Sequence, residues 1–155
     1  MGGSAFIEKS RLAGYEAGTA FQALCHYRIG LNDGQTEDTG TIGDKLEIGY
    51  VTIESTRDEI LASVERYDTK FAAKYGRYRP QFVGERRTAD PEVVAVLQAA
   101  DPAKASEGKW TVDQAVAAAS LLMWVEDDRC SNKYGECGHI PCVDGHHVFF
   151  GWSND

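Results

Sequence analysis

Asp144-Gly145 lies between two β-type runs, HIPCV and HHVFFGW, and this dipeptide constrains the chain more than any other feature. Asp-Gly supplies the positive φ angles of a two-residue type I′ turn, so the C-terminal stretch is expected to form a β-hairpin. A two-residue turn sets Val143 against His146, Cys142 against His147, Pro141 against Val148, Ile140 against Phe149 and His139 against Phe150. Alternate pairs share a face. Cys142, His147, Ile140 and Phe149 are therefore expected on one side, and Val143, His146, His139 and Phe150 on the other.

The rest of the chain reads mainly as helix. Residues 5–29 carry Phe6, Ile7, Leu12, Tyr15, Phe21, Leu24 and Ile29 among small residues, which predicts one long helix. Gly14 and Gly18 interrupt its propensity and mark either a close backbone approach or a break. NDGQTEDTGTIGD reads as an exposed loop, and Leu46–Glu54 alternates apolar and polar residues as a strand does. Thr56 with Glu59 three residues on is a capping-box signature, opening a helix over Arg57–Tyr75 that Gly76 ends. Residues 77–83 look extended because Arg79 precedes Pro80. Asp90-Pro91 caps and starts a short helix to about Ala100, and Thr111 with Gln114 opens a largely apolar one, Val112 to about Glu126.

The expected architecture is α+β: about four helices packed on a small, mainly antiparallel sheet that includes the C-terminal β-hairpin, with residues 1–155 as one domain. The chain's 155 residues suffice for one core. No apolar run is as long as a membrane-spanning helix needs, so no membrane role is expected. The first residues show no basic segment followed by an apolar stretch, which makes the cytoplasm the default compartment. A net charge of -8 argues against general nucleic-acid coating.

Three groups of residues could carry chemistry. Residues 70–87, KFAAKYGRYRPQFVGERR, hold six basic residues against Glu85, with aromatic residues interleaved. Guanidinium forks bind phosphate or carboxylate bidentately and tyrosine faces stack on bases, so Arg77, Tyr78, Arg79, Arg86 and Arg87 form a candidate anion receptor. Pairing with the chain's surplus acids is the plainer account of these arginines. Cys130, Cys137 and Cys142 fall in thirteen residues that also hold His139, with His146 and His147 shortly after. Cys130, Cys137, Cys142 and His147 would make the best zinc set, although the C-x6-C-x4-C spacing lacks paired knuckles, and a free Cys is most often a small buried hydrophobe. Finally, the cross-strand pair Cys142 and His147 has the separation of a thiolate–imidazole nucleophile and base, without an identifiable oxyanion hole.

GERR at residues 84–87 and DGHH at residues 144–147 resemble boxes of the ParB and sulfiredoxin-like superfamily, in which a strand leads into a phosphate-contacting helix. Thr88–Pro91 interrupts the helix that GERR would open and DGHH reads as a hairpin turn, so the resemblance transfers no residue role.

The function these observations favour is that of a non-catalytic binding or inhibitor-type protein. It would engage an anionic, nucleotide- or phosphate-like ligand or a macromolecular partner through charge complementarity, and it would need no cofactor. The alternatives are a thiol-dependent hydrolase built on Cys142 and His147, and a zinc-stapled interaction module. The small-residue surface at Gly14 and Gly18 and the aromatic strand with Phe149, Phe150 and Trp152 offer places for a homo-oligomer to form.

Overall fold

The computed structural model describes residues 3–34, 40–75, 89–123 and 134–154. Along these residues run β1 (Gly3–Lys9), α1 (Ala17–Leu31), β2 (Tyr50–Thr52), α2 (Arg57–Tyr75), α3 (Pro91–Gln98), α4 (Val112–Leu122), β3 (Cys137–Pro141) and β4 (His147–Asn154). The strands form a four-stranded mixed sheet in the order β1-β4-β3-β2. β4 pairs antiparallel with both β1 and β3, and β2 runs parallel to β3. The α+β expectation holds, hairpin included.

Each face of the sheet carries its own core. Phe6, Cys137 and Phe149 point to one side, where α1 delivers Ala20, Phe21, Leu24 and Cys25. Ile140, Cys142, Val148 and Phe150 point to the other, where they meet Ile60 and Val64 of α2, Leu97 of α3 and the alanine-rich stripe of α4. This is the period-two alternation of strands, so a residue's parity decides which core it joins. Gly138 stands opposite Phe150, and a Cβ there would lie 2.3 Å from the phenyl ring. The glycine lets that ring lie flat across the neighbouring strand.

Both capping boxes are present. Thr56 N–H donates to Glu59 Oε1 at 2.9 Å while Glu59 N–H donates to Thr56 Oγ1 at 3.1 Å. Thr111 and Gln114 repeat the exchange at 3.0 and 3.2 Å. Asp90 caps α3 through the Glu92 N–H with Pro91 in the first turn. α2 spans the expected residues, and α4 is described as far as Leu122. Trp110, ahead of α4, is fully buried with its indole N–H donating to Asp101 O at 2.8 Å. Among the described residues no helix is long and apolar enough to cross a membrane.

Three expectations need correction. The helix predicted over residues 5–29 is a strand, a connecting segment at residues 10–16, and a helix that starts at Ala17. Gly14, at φ 89°, breaks the chain, and β1 is held extended by seven register pairs with β4. Pairing to an otherwise open edge outweighs local propensity. The strand predicted over 46–54 shrinks to Tyr50–Thr52. Its first half is a helical turn closed by Ile48 N–H and Gly49 N–H on Lys45 O, and Gly49 at φ 99° releases the chain into β2.

The third correction concerns register. Pro141 pairs with His147, Ile140 with Val148 and His139 with Phe149, one residue out of step with the expectation. The loop has three residues, not two. Gly145 N–H closes a turn on Cys142 O at 3.1 Å, Gly145 takes φ 87°, and Cys142 N–H meets His146 O at 2.9 Å. This is a turn followed by a left-handed glycine, the usual three-residue hairpin connection. A slip of one residue re-sorts every cross-strand pair.

Candidate functional site

The register slip separates Cys142 from His147. Cys142 now faces His146 and joins the α2–α4 core, whereas His147 projects to the α1 side. The thiol–imidazole pair is therefore not assembled. Burial, with the Asp144 carboxylate adding to it, pushes the Cys142 thiol up to about 12, and burial does the same to Cys25. Neither is a ready thiolate at neutral pH. Cys137 and Cys142 sit in different cores, so the zinc set does not converge through its described members, and Cys130 lies outside the described residues. Among the described residues no three His, Cys, Asp or Glu side chains are grouped to hold a metal. Arg77, Tyr78, Arg79, Arg86 and Arg87 also lie outside the described residues.

The same slip assembles another group. His139 and His147 now share the α1 face with Thr52 of β2, and their rings meet edge to edge with centroids 5.0 Å apart and planes 30° apart. Phe149 stacks on His139 at 4.9 Å and Tyr50 meets it edge-on at 5.3 Å. A continuous hydrogen-bonded chain runs through the pair. Thr52 Oγ1 lies 2.8 Å from His139 Nδ1, His139 Nε2 lies 2.8 Å from His147 Nδ1, and His147 Nε2 lies 2.7 Å from the Tyr15 carbonyl oxygen.

The carbonyl end sets the direction of this chain. A carbonyl only accepts, so His147 carries its hydrogen on Nε2. In the neutral pair His147 Nδ1 is then a bare acceptor, which requires hydrogen on His139 Nε2 and leaves His139 Nδ1 to accept from the Thr52 hydroxyl. Every polar atom is satisfied in one tautomeric arrangement only. Burial, followed by the nearby His147, lowers His139 from the ordinary 6.5 to about 4. A hydroxyl, a base and an orienting group in line have the outline of a catalytic triad. A base that weak, oriented by a neutral ring, is a poor proton acceptor at neutral pH, and we read the chain as a structural tie.

What it ties is the segment between β1 and α1. Ser10 N–H donates to His147 O at 2.7 Å, His147 N–H to Ser10 Oγ at 2.9 Å, His147 Nε2–H to Tyr15 O at 2.7 Å, and Gly14 N–H to Gly145 O at 3.0 Å. Gly14 and Gly145 meet so closely that a Cβ on Gly145 would stand 2.9 Å from Gly14 N. The hairpin tip thus fixes a segment that local propensity alone would not.

Between this segment and α1 lies a groove of about 530 Å³. Ser10, Arg11, Leu12 and Tyr15 form its outer wall, and Thr19, Ala20, Ala23 and Leu24 its helical floor. Thr19 and Ala23, small and exposed, leave the room, and Ala20 and Leu24 close the floor from the core beneath. Leu12 and Tyr15 are more than half exposed, at 63% and 51%. The Arg11 guanidinium carbon sits 3.9 Å from the centre of the Tyr27 ring, which orients the charge without neutralising it. Glu16 at the N-cap of α1 makes no side-chain hydrogen bond to the helix, and the first turn holds no acid. The first turn of α1, which Thr19 brings to the groove, thus has no cap from its own N-cap side chain.

Neither the groove nor the tie was read from the sequence. Arg11, Tyr15 and Thr19 lay within the supposed long helix, and the two histidines were assigned to opposite faces. Gly14 was the available sign of the first, and the third loop position of Gly145 the sign of the second. No family model, no curated protein and no solved structure matches the chain.

Proposed function

We propose that this is a non-catalytic binding protein whose ligand is a small amphipathic anion, an apolar or aromatic body bearing a phosphate, sulfonate or carboxylate. The groove between residues 10–16 and α1 carries this reading. Its size falls within the few hundred to a thousand Å³ typical of small-molecule sites, and its lining is apolar with a few polar groups at the edge, as such sites are. Leu12, Ala20, Ala23 and Leu24 would receive the apolar body, while Arg11 and the first turn of α1 would receive the charge. The chain's net charge of -8 disfavours anions at long range, so recognition depends on these local donors, within a Debye length of about 8 Å. The bonds to the hairpin tip hold the outer wall in place before the ligand arrives, which reduces the ordering cost of binding.

Fluorescence titration with anilinonaphthalene sulfonate, an aromatic body with a permanent anion, tests the reading. One saturable site is expected. Arg11→Gln should weaken binding about 10- to 150-fold, the worth of one charged hydrogen bond. Ala23→Trp, placed on the groove floor where α1 is exposed, should abolish it. A titration that Ala23→Trp leaves unchanged would overturn the proposal.

A further inference from the structure

His147 stands directly behind the groove's outer wall, holding Tyr15 through its Nε2–H and Ser10 through its backbone. The hydrogen-bonded chain can accept one proton without losing a contact. With a proton on His147 Nδ1, that N–H donates to His139 Nε2, His139 carries its hydrogen on Nδ1, and the Thr52 hydroxyl turns from donor to acceptor. All three bonds of 2.7–2.8 Å survive, and the one to the Tyr15 carbonyl becomes charge-assisted. A second proton would set N–H against N–H between the two rings, so the hydrogen-bonded chain has room for one proton only.

The groups around the pair set its charge balance. From β2 come the Thr52 hydroxyl and the Tyr50 phenol, and from β3 His139 itself. β1 places Glu8 across from Phe149 of β4, where Arg28 of α1 pairs with it. The connecting segment brings Ser10, Arg11 and Tyr15, and α1 brings Glu16 at its N-cap. Glu8 is already engaged, and the N-terminal end of α1 disfavours a cation nearby. An anion held in the groove reverses that local field.

Resting on the groove reading above, we propose that the protein takes up one proton on the His139–His147 pair when it binds its anionic ligand, so that it holds the ligand more tightly as pH falls. The coupling is reciprocal: an anion beyond Tyr15 favours the cationic pair, and the cationic pair favours the anion and strengthens the bond to the groove wall. His139 stays neutral in both states, and the added charge sits on His147, the ring that touches the groove wall.

Anilinonaphthalene sulfonate serves as the probe because its sulfonate stays ionised from about pH 8 to about pH 5, leaving any pH dependence to the protein. Titrations of the full chain over that range, with near-ultraviolet circular dichroism to confirm the fold at each pH, should show binding that tightens by up to about 10-fold per pH unit, the limit for one proton. His147→Gln keeps an amide N–H for Tyr15 but cannot take the proton, and its affinity should not change with pH. Thr52→Val removes the hydroxyl that must accept from the protonated pair and should give a shallower dependence. Should His147→Gln fail to fold, this second variant decides, and an unaltered slope in it refutes the relay. A flat wild-type profile, with binding that Ala23→Trp still abolishes, refutes the coupling and leaves the groove reading intact. Binding that Ala23→Trp does not alter removes the groove reading and the coupling with it. A slope that persists in His147→Gln places the proton elsewhere and refutes the proposal.

Discussion

Acid should destabilise this fold through one residue, His139. The residue is 3% exposed, and burial holds its imidazole near 4 where an unconstrained histidine titrates at 6.5. Between those values the unfolded chain binds a proton there that the folded chain refuses. Stability contributed by the neutral ring is therefore intact above about pH 6.5 and lost as pH falls toward 4. Carrying the two values through the linkage relation gives a loss of about 2–3 kcal/mol between about pH 7 and pH 4.5. With a urea dependence of about 2 kcal/mol per molar for a chain of this size, the unfolding midpoint should drop by about 1 M. Other groups titrate in the same range, so the comparison must be with His139→Asn. Its amide oxygen can still accept from Thr52, and it has no proton to gain. That variant should be less stable at neutral pH by about 1–3 kcal/mol, because His147 Nδ1 loses its donor. The gap between wild type and variant should then close on acidification. A gap that stays constant to within about 0.5 kcal/mol over the range would refute the reasoning.

Further outcomes follow from the packing. Gly138→Ala drives a methyl into the Phe150 ring and should cost about 1–3 kcal/mol in urea unfolding, with Phe150→Leu in the same chain recovering part of it; additive losses would contradict the contact. Gly145→Ala places a side chain at φ 87° against Gly14 N, so it should cost about 1–2 kcal/mol and also weaken probe binding by loosening the groove wall. Thr111→Ala should cost about 1 kcal/mol through loss of the α4 capping box, and an unchanged midpoint would mean the cap contributes nothing. Cys25 and Cys142, both raised to about 12 from 9.0, should react with iodoacetamide about 1,000-fold more slowly than unburied thiols; labelling at the unburied rate would reopen a thiol mechanism.

Elements that announce themselves locally were legible in the sequence. Thr56–Glu59 and Thr111–Gln114 place their caps within four residues, Asp90-Pro91 opens α3 by fixed chemistry, and the start of each of these helices followed. The hairpin was legible as a hairpin because Asp-Gly needs no distant partner. Its register was not, because a two-residue and a three-residue loop both use Asp144-Gly145, and Val143 decides between them by joining the turn and bonding to Trp110 O at 3.0 Å. β1 was illegible for a related reason. Phe6, Ile7 and Glu8 fit a helix by spacing, and only the open edge of β4, more than a hundred residues away in sequence, makes them a strand. The candidate site inherits both blind spots. The groove exists because residues 10–16 leave the helix, and the Thr52–His139–His147 chain exists because of one residue of register.

That chain is the centre of the account, since it holds the groove wall and gives the site its proposed response to pH. Long-range proton–nitrogen correlation spectra of the two imidazoles at neutral pH measure it most directly. His139 and His147 should both carry hydrogen on Nε2, each with an Nδ1 resonance characteristic of a bare acceptor nitrogen. Hydrogen on Nδ1 of His147, or exchange between tautomers at either ring, would contradict the account.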